Sequence, residues 1–162
     1  MTAEAAAMGK AKVIKLLKLF PDIDEEIRAK RSIVNDLEGY YDTSASIQYD
    51  GMPKGNFHTG SPTERGAMNM PDYVHKEIIL CQKEIEALQQ VKVEILKEVS
   101  RLKLKQKKVI FGFYFYGMKW GEIAERTNYS DRQCKNIRDE ALGNLLKTFS
   151  KNKVLTEYKI RG

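Results

Sequence analysis

Cysteine, histidine and long apolar runs are all scarce in this chain. Its 162 residues include two cysteines, Cys81 and Cys134. Each stands at an apolar helical position, which suits reduced core thiols in a cytosol better than a disulfide framework. The two histidines, His58 and His75, have no second His, Cys or acid at ligand spacing, so neither a metal site nor a cofactor is expected. There is no Gly-rich phosphate loop and no nucleophile elbow, and the carboxylates are ordinary helix-surface neighbours. An enzyme is not expected. No stretch is apolar for long enough to span a bilayer, and the first residues lack the charged, apolar and cleavage order of a signal peptide. The chain is expected to be cytoplasmic, with no membrane partner.

Proline is rare as well, and Pro21, Pro53, Pro62 and Pro71 divide the chain. Val13, Leu16, Leu17 and Phe20 predict a first helix from about residue 4 to Phe20, stopped by Pro21. A second helix is expected from Asp22, with Ile23, Ile27, Val34, Leu37 and Tyr41 as its stripe. Residues 42–70 break every pattern, with Gly51, Gly55, Gly60 and Gly66 beside two of the prolines, and read as a long loop with disorder as the default. From Pro71 to about Leu104 runs the longest helix. Its Val74, Ile78, Cys81, Ile85, Leu88, Ile95, Val99 and Leu102 alternate three- and four-residue steps, interrupted where Lys92 takes a seam position. Lys30 is the matching exception in the preceding helix. Such seams require a partner, either each other in an antiparallel hairpin closed by the 42–70 loop, or a second copy in a homodimer through the long helix. The sequence leaves both open.

Positive charge is present in excess, with 28 Lys and Arg against 22 Asp and Glu and a net charge of +6. That balance suits a polyanionic partner. Its distribution says more. Arg101, Lys103, Lys105, Lys107, Lys108 and Lys119 lie in a stretch with no acid between Arg101 and Gly121, and Lys147, Lys151, Lys153, Lys159 and Arg161 form a second group around a basic tail at 151–162. These are either phosphate contacts or solvated faces.

Between the two basic groups lies the most informative segment, MKWGEIAERTNYSDRQCKNIRDEALGNLLKT, from Met118 to Thr148. Ile123 and Ala124 fall on the inner side of a short helix, and a residue as small as Ala124 lets another helix cross close by. Asn128 stands where the chain turns, and Asn tolerates a left-handed backbone better than any residue but Gly. Ser130 and Gln133 have the spacing of a capping box, which fixes the start of the next helix. Cys134, Ile137, Ala141, Leu142 and Leu145 mark one side of that helix as buried. The opposite side carries Arg132, Lys135, Asn136 and Asp139, flanked by Asp131 and Arg138, a set able to meet base edges in a major groove. The candidate interface is therefore Ser130, Asp131, Arg132, Gln133, Lys135, Asn136 and Arg138, with phosphate contacts from Lys105, Lys107, Lys108 and Lys119. The simpler alternative is an amphipathic pair of helices with no nucleic-acid role. The aromatic run Phe111, Phe113, Tyr114, Phe115, Tyr116 and Trp120 reads as core rather than a stacking platform, with Tyr114 the expected exception.

On these residues, KKVIFGFYFYG followed by GMKWGEIAERTNYS and DRQCKNIRDEALGNLL, segment 103–149 resembles region 4 of the sigma-70 family, in register and without a gap. Over residues 22–149 the order of parts is similar to phage-encoded late-gene regulators of the ArpU and RinA type, including a Gly51, Met52, Pro53 run in the insert. The resemblance implies an all-α protein: N-terminal helices, loop and long helix over 1–104 as a coiled-coil-like stalk, a helix-turn-helix domain over 105–150, and the tail. It places Asp131, Arg132 and Asn136 where that family reads the −35 promoter element. It also implies double-stranded DNA and host RNA polymerase as partners in a bacterial cytoplasm, with activation of late genes as the outcome. Two other readings stay open, a DNA-packaging recognition protein resembling a small terminase subunit and a helical adaptor that binds only protein.

Overall fold

A computed structural model describes residues 8–50 and 70–160, with side chains described over 8–41 and 70–160. Most of the 42–70 segment, including the Gly51, Met52, Pro53 run, lies outside the described residues. The architecture is all-helical: α1 (Lys10–Asp50), α2 (Asp72–Ser100), α3 (Leu104–Ile110), α4 (Trp120–Thr127), α5 (Asp131–Ser150) and α6 (Lys153–Glu157). Among the described residues there is no strand. The chain forms two compact units, one from residues 1–24 and 88–162 and the other from residues 25–87.

Pro21 does not end a helix. α1 runs through it from Lys10 to Asp50, so the expected break at Phe20 and the expected loop start at residue 42 are both corrected. The reason lies in the apolar register. Leu17, Phe20, Ile23 and Ile27 keep their three- and four-residue steps across Pro21, whose own ring faces solvent. An interior proline costs about 3 kcal/mol. Leu16, Leu17 and Ile23 are all fully buried, and each contributes roughly 1.5–3 kcal/mol by leaving water. Continuing the helix keeps all three in one stripe, and that outweighs the lost hydrogen bond.

Both lysines that interrupt the seams find acids. In the 25–87 unit, Lys30 Nζ lies 3.0 Å from Glu84 Oε1, beside a cluster of Val34, Val74, Ile78 and Cys81. In the other unit, Lys92 Nζ lies 2.6 Å from Asp24 Oδ1, while Ile95 and Val99 are fully buried. The seam residues of α2 are thus covered within a single chain.

Residues 151–160 are more than a basic tail, while Arg161 lies outside the described residues. Asn152 caps α6 by accepting a hydrogen bond from the Leu155 N–H at 3.2 Å, and Leu155 is fully buried. The Asn152 amide donates to Glu94 Oε1 and Glu98 Oε2, both at 2.8 Å, and Lys12 Nζ donates to the Thr156 carbonyl at 2.8 Å. Glu98 is only 5% exposed, so this amide supplies a donor that water does not. Sequence periodicity carries no sign of it.

α3 continues into a π-helical turn, Phe111–Phe115, in which the Tyr116 N–H donates to the Phe111 carbonyl at 2.8 Å. Such turns widen a helix locally. A Cβ at Gly112 would meet Ile123 Cγ1 at 3.2 Å and Met118 Sδ at 3.4 Å, so the glycine lets α4 approach this turn closely. Phe115 stacks on Phe20 at 4.2 Å between ring centroids. The aromatic run is core apart from one residue, and that residue is Tyr116, 67% exposed, while Tyr114 is buried. Tyr114 follows Ile110 by four positions and shares its stripe. Burial pushes its hydroxyl pKa up.

Candidate nucleic-acid interface

Two short-range devices set the geometry of α4 and α5. Lys119 precedes α4 with an extended backbone, and its N–H donates to Glu122 Oε1 at 2.9 Å, so Glu122 satisfies one of the helix's free amides. At the other end, Asn128 has φ 63° and ψ 24°, the left-handed conformation, and its N–H donates to the Ala124 carbonyl. Thr127 Oγ1 donates to the Ile123 carbonyl at 2.7 Å and holds the end of the helix closed. Ser130 then caps α5. The Gln133 N–H donates to Ser130 Oγ at 3.1 Å, and the Ser130 N–H donates to Gln133 Oε1 at 2.9 Å, a complete reciprocal box.

Packing fixes which side of α5 points outward. Cys134 and Ile137 are buried with Val109 of α3 and Ile123 of α4, and Ala124, Trp120, Phe113, Met118 and Tyr129 pack around them. Ala141, Leu142, Leu145 and Phe149 continue that stripe. α3 meets α5 through polar contacts too, since Gln106 is 1% exposed and its amide donates to Glu140 Oε1 at 2.9 Å while accepting from Asn144. Arg132, Lys135, Asn136 and Asp139 are left on the opposite, exposed side.

Most of the expected interface residues are exposed side by side on α5. Ser130, Asp131, Arg132, Gln133, Lys135 and Asn136 are all exposed. Arg138 differs. Its guanidinium lies 5.2 Å from the Trp120 ring centroid and 5.8 Å from that of Phe113, and Nε is 2.9 Å from Asp139 Oδ1. Only a quarter of its side chain is exposed, so its contacts bind the aromatic rim to α5. Lys135 Nζ stands 6.0 Å from the same Trp120 ring.

Neither a family model, nor a curated protein, nor a solved structure matches this chain. The chemistry of the site therefore stands on its own geometry.

Of the flanking lysines, Lys105, Lys108 and Lys119 are exposed and Lys107 is half-buried, while Lys107 and Lys108 also border a hollow of about 410 Å³ together with Arg126. The hollow is walled by apolar groups, among them Leu104, Phe111 and Met118. Arg126 is a cation that the sequence pattern does not single out, because it lies on the outer side of α4 and outside the run from Arg101 to Gly121. Among the described residues, no group of three His, Cys, Asp or Glu is arranged to hold a metal, and no helix is long and apolar enough to cross a membrane.

Proposed function

We propose that this chain is a sequence-specific double-stranded DNA-binding transcription regulator, an activator of phage late genes that acts with host RNA polymerase. In this reading α4 and α5 are the two helices of a helix-turn-helix resembling sigma-70 region 4, with α5 in the major groove. α1 and α2 form a coiled-coil-like hairpin stalk that carries it. One observation supports this above the others. The left-handed Asn128 and the Ser130–Gln133 box start α5 at a defined point, with Arg132 and Asn136 exposed one turn apart and Cys134 and Ile137 buried behind them.

The chemistry follows from the residue types. Arg132 offers paired donors that match guanine O6 and N7, and the Asn136 amide matches adenine N6 and N7, each pairing worth about 1–3 kcal/mol against a wrong base. Lys105, Lys107, Lys108 and Lys119 meet phosphates and set position rather than sequence. Arg138 supports the site from behind by clamping Trp120 and Phe113.

Selection of binding sites from a random duplex library tests the proposal. Arg132→Ala and Asn136→Ala should each relax preference at one or two base pairs while retaining affinity for duplex in general. Two variants with the parent's sequence preference would show that α5 does not read bases. Reporter activation from a selected promoter fragment then separates a regulator from a packaging protein, which binds its site without raising transcription.

A further inference from the structure

The described helix segments of the 25–87 unit present four exposed apolar and aromatic side chains. Ile33 and Tyr40 on α1 are 46% and 68% exposed, and Tyr73 and Leu80 on α2 are 75% and 48% exposed. Each of the four precedes a core residue by one position: Val34, Tyr41, Val74 and Cys81. Within this unit the two helix segments run in opposite directions. Lys30 meets Glu84, while Tyr41 lies close enough to Tyr73 for that neighbour to add to the burial that raises its hydroxyl pKa. In antiparallel helices the same one-residue step back from the seam turns side chains toward the same side of the pair. Ile33 and Leu80 therefore form one layer and Tyr40 and Tyr73 the next, on the side where Lys30 meets Glu84. Glu77, between Tyr73 and Leu80 in sequence, is turned toward the Cys81 thiol, with Oε2 3.7 Å from Sγ.

The borders of the patch differ in sign. Exposed Asp36 lies beyond Ile33 and Tyr40 on the α1 edge, and exposed Lys76 and Lys83 lie beyond Tyr73 and Leu80 on the α2 edge. The Lys30–Glu84 pair and the packing of Tyr41 against the cluster that holds Val74 put Asp36 at nearly the same height as Lys76.

We infer that this patch is the docking surface for a second copy of the chain, related by a twofold axis parallel to the helices. Under that axis α1 of each copy lies over α2 of the other. Ile33 and Tyr40 meet the second copy's Tyr73 and Leu80, and Asp36 meets its Lys76 twice. A twofold axis across the helices instead sets α1 on α1 and acid on acid, so charge selects the first arrangement. Two tyrosines in the patch suit an interface, since they bury large area at low entropy cost. The dimer stands on the packing of the 25–87 unit and is independent of the DNA-reading proposal.

Sedimentation equilibrium of the full chain, from micromolar to hundreds of micromolar, tests it. A reversible monomer–dimer equilibrium is expected. Leu80→Glu, at a half-exposed position, should raise the dissociation constant by at least about tenfold, as expected for loss of an interface anchor. Asp36→Lys and Lys76→Asp should each raise it by about fivefold, the scale of exposed ion pairs broken twice over. The double reversal should restore the parent value. Because all three positions are exposed, the variants should match the parent in circular dichroism melts read at a concentration where the parent is monomeric. A parent that stays monomeric throughout the range overturns the inference. So does a dimer indifferent to Leu80→Glu, and so do charge reversals that fail to compensate each other.

Discussion

Replacing Asn152 with alanine removes three hydrogen bonds at one stroke. Its carbonyl caps α6 at the Leu155 N–H, and its amide serves two carboxylates, Glu94 and the nearly inaccessible Glu98. Loss of the cap costs about 1 kcal/mol. Leaving Oε2 of the buried Glu98 without its donor costs a further 1–3 kcal/mol or so. Asn152→Ala should therefore destabilise the unit made of residues 1–24 and 88–162 by about 2–4 kcal/mol, the sum of these two contributions. Urea unfolding followed by Trp120 fluorescence, together with amide exchange at Leu155, measures it. The pH dependence sharpens the test. Glu94 is held below the usual carboxylate range, first by its hydrogen bond from Lys97 and then by Asn152. A depressed carboxyl pKa contributes stability that is present above the unfolded value, about 4.3. That stability is lost as pH falls through the folded value. Asn152→Ala should weaken this acid dependence. Asn152→Asp keeps the cap oxygen but sets a third carboxylate against two, so it should be less stable than the alanine variant at pH 7. An alanine variant with the parent's urea midpoint and full protection at Leu155 would refute the reasoning.

Leu88→Ala should cost about 2–5 kcal/mol by the same unfolding assay, because Leu88 is 4% exposed. Val93→Ala on the same helix, 60% exposed, should stay within about 0.5 kcal/mol. A variant with Lys105, Lys107 and Lys108 all changed to alanine should bind every duplex more weakly without altering sequence preference, and its salt slope should become shallower by roughly 0.9 for each phosphate no longer neutralised. An unchanged slope would reduce those lysines to a solvated face.

The parts of the site legible in sequence are those built from neighbours. The turn at Asn128 and the Ser130–Gln133 box depend on residues within five positions of one another, and the buried stripe of α5 follows from its period alone. Pro21 misleads because local geometry argues for a stop while the register on either side argues for continuity. Buried area decides such a conflict, and burial is a property of the fold. Arg138 and Asn152 are hidden for a related reason. The partners of Asn152 lie 54 and 58 positions away, and the rings that hold Arg138 come from two other segments. Tyr114 and Tyr116 exchange expected places because a stripe drawn through Val109, Ile110 and Phe113 is one residue too narrow.

The two cysteines carry a consequence of their own. Cys81 lies in the 25–87 unit and Cys134 in the other, and both are buried free thiols. A thiol-reactive probe reaches either sulfur only when its surroundings open, so the rate of modification at each site is a clock for one unit. Mass spectrometry of the two labelled peptides reads both clocks in a single wild-type sample. Duplex DNA added to that sample would slow Cys134 if it steadies α5 against α4, and a change at Cys81 would report on the other unit alone.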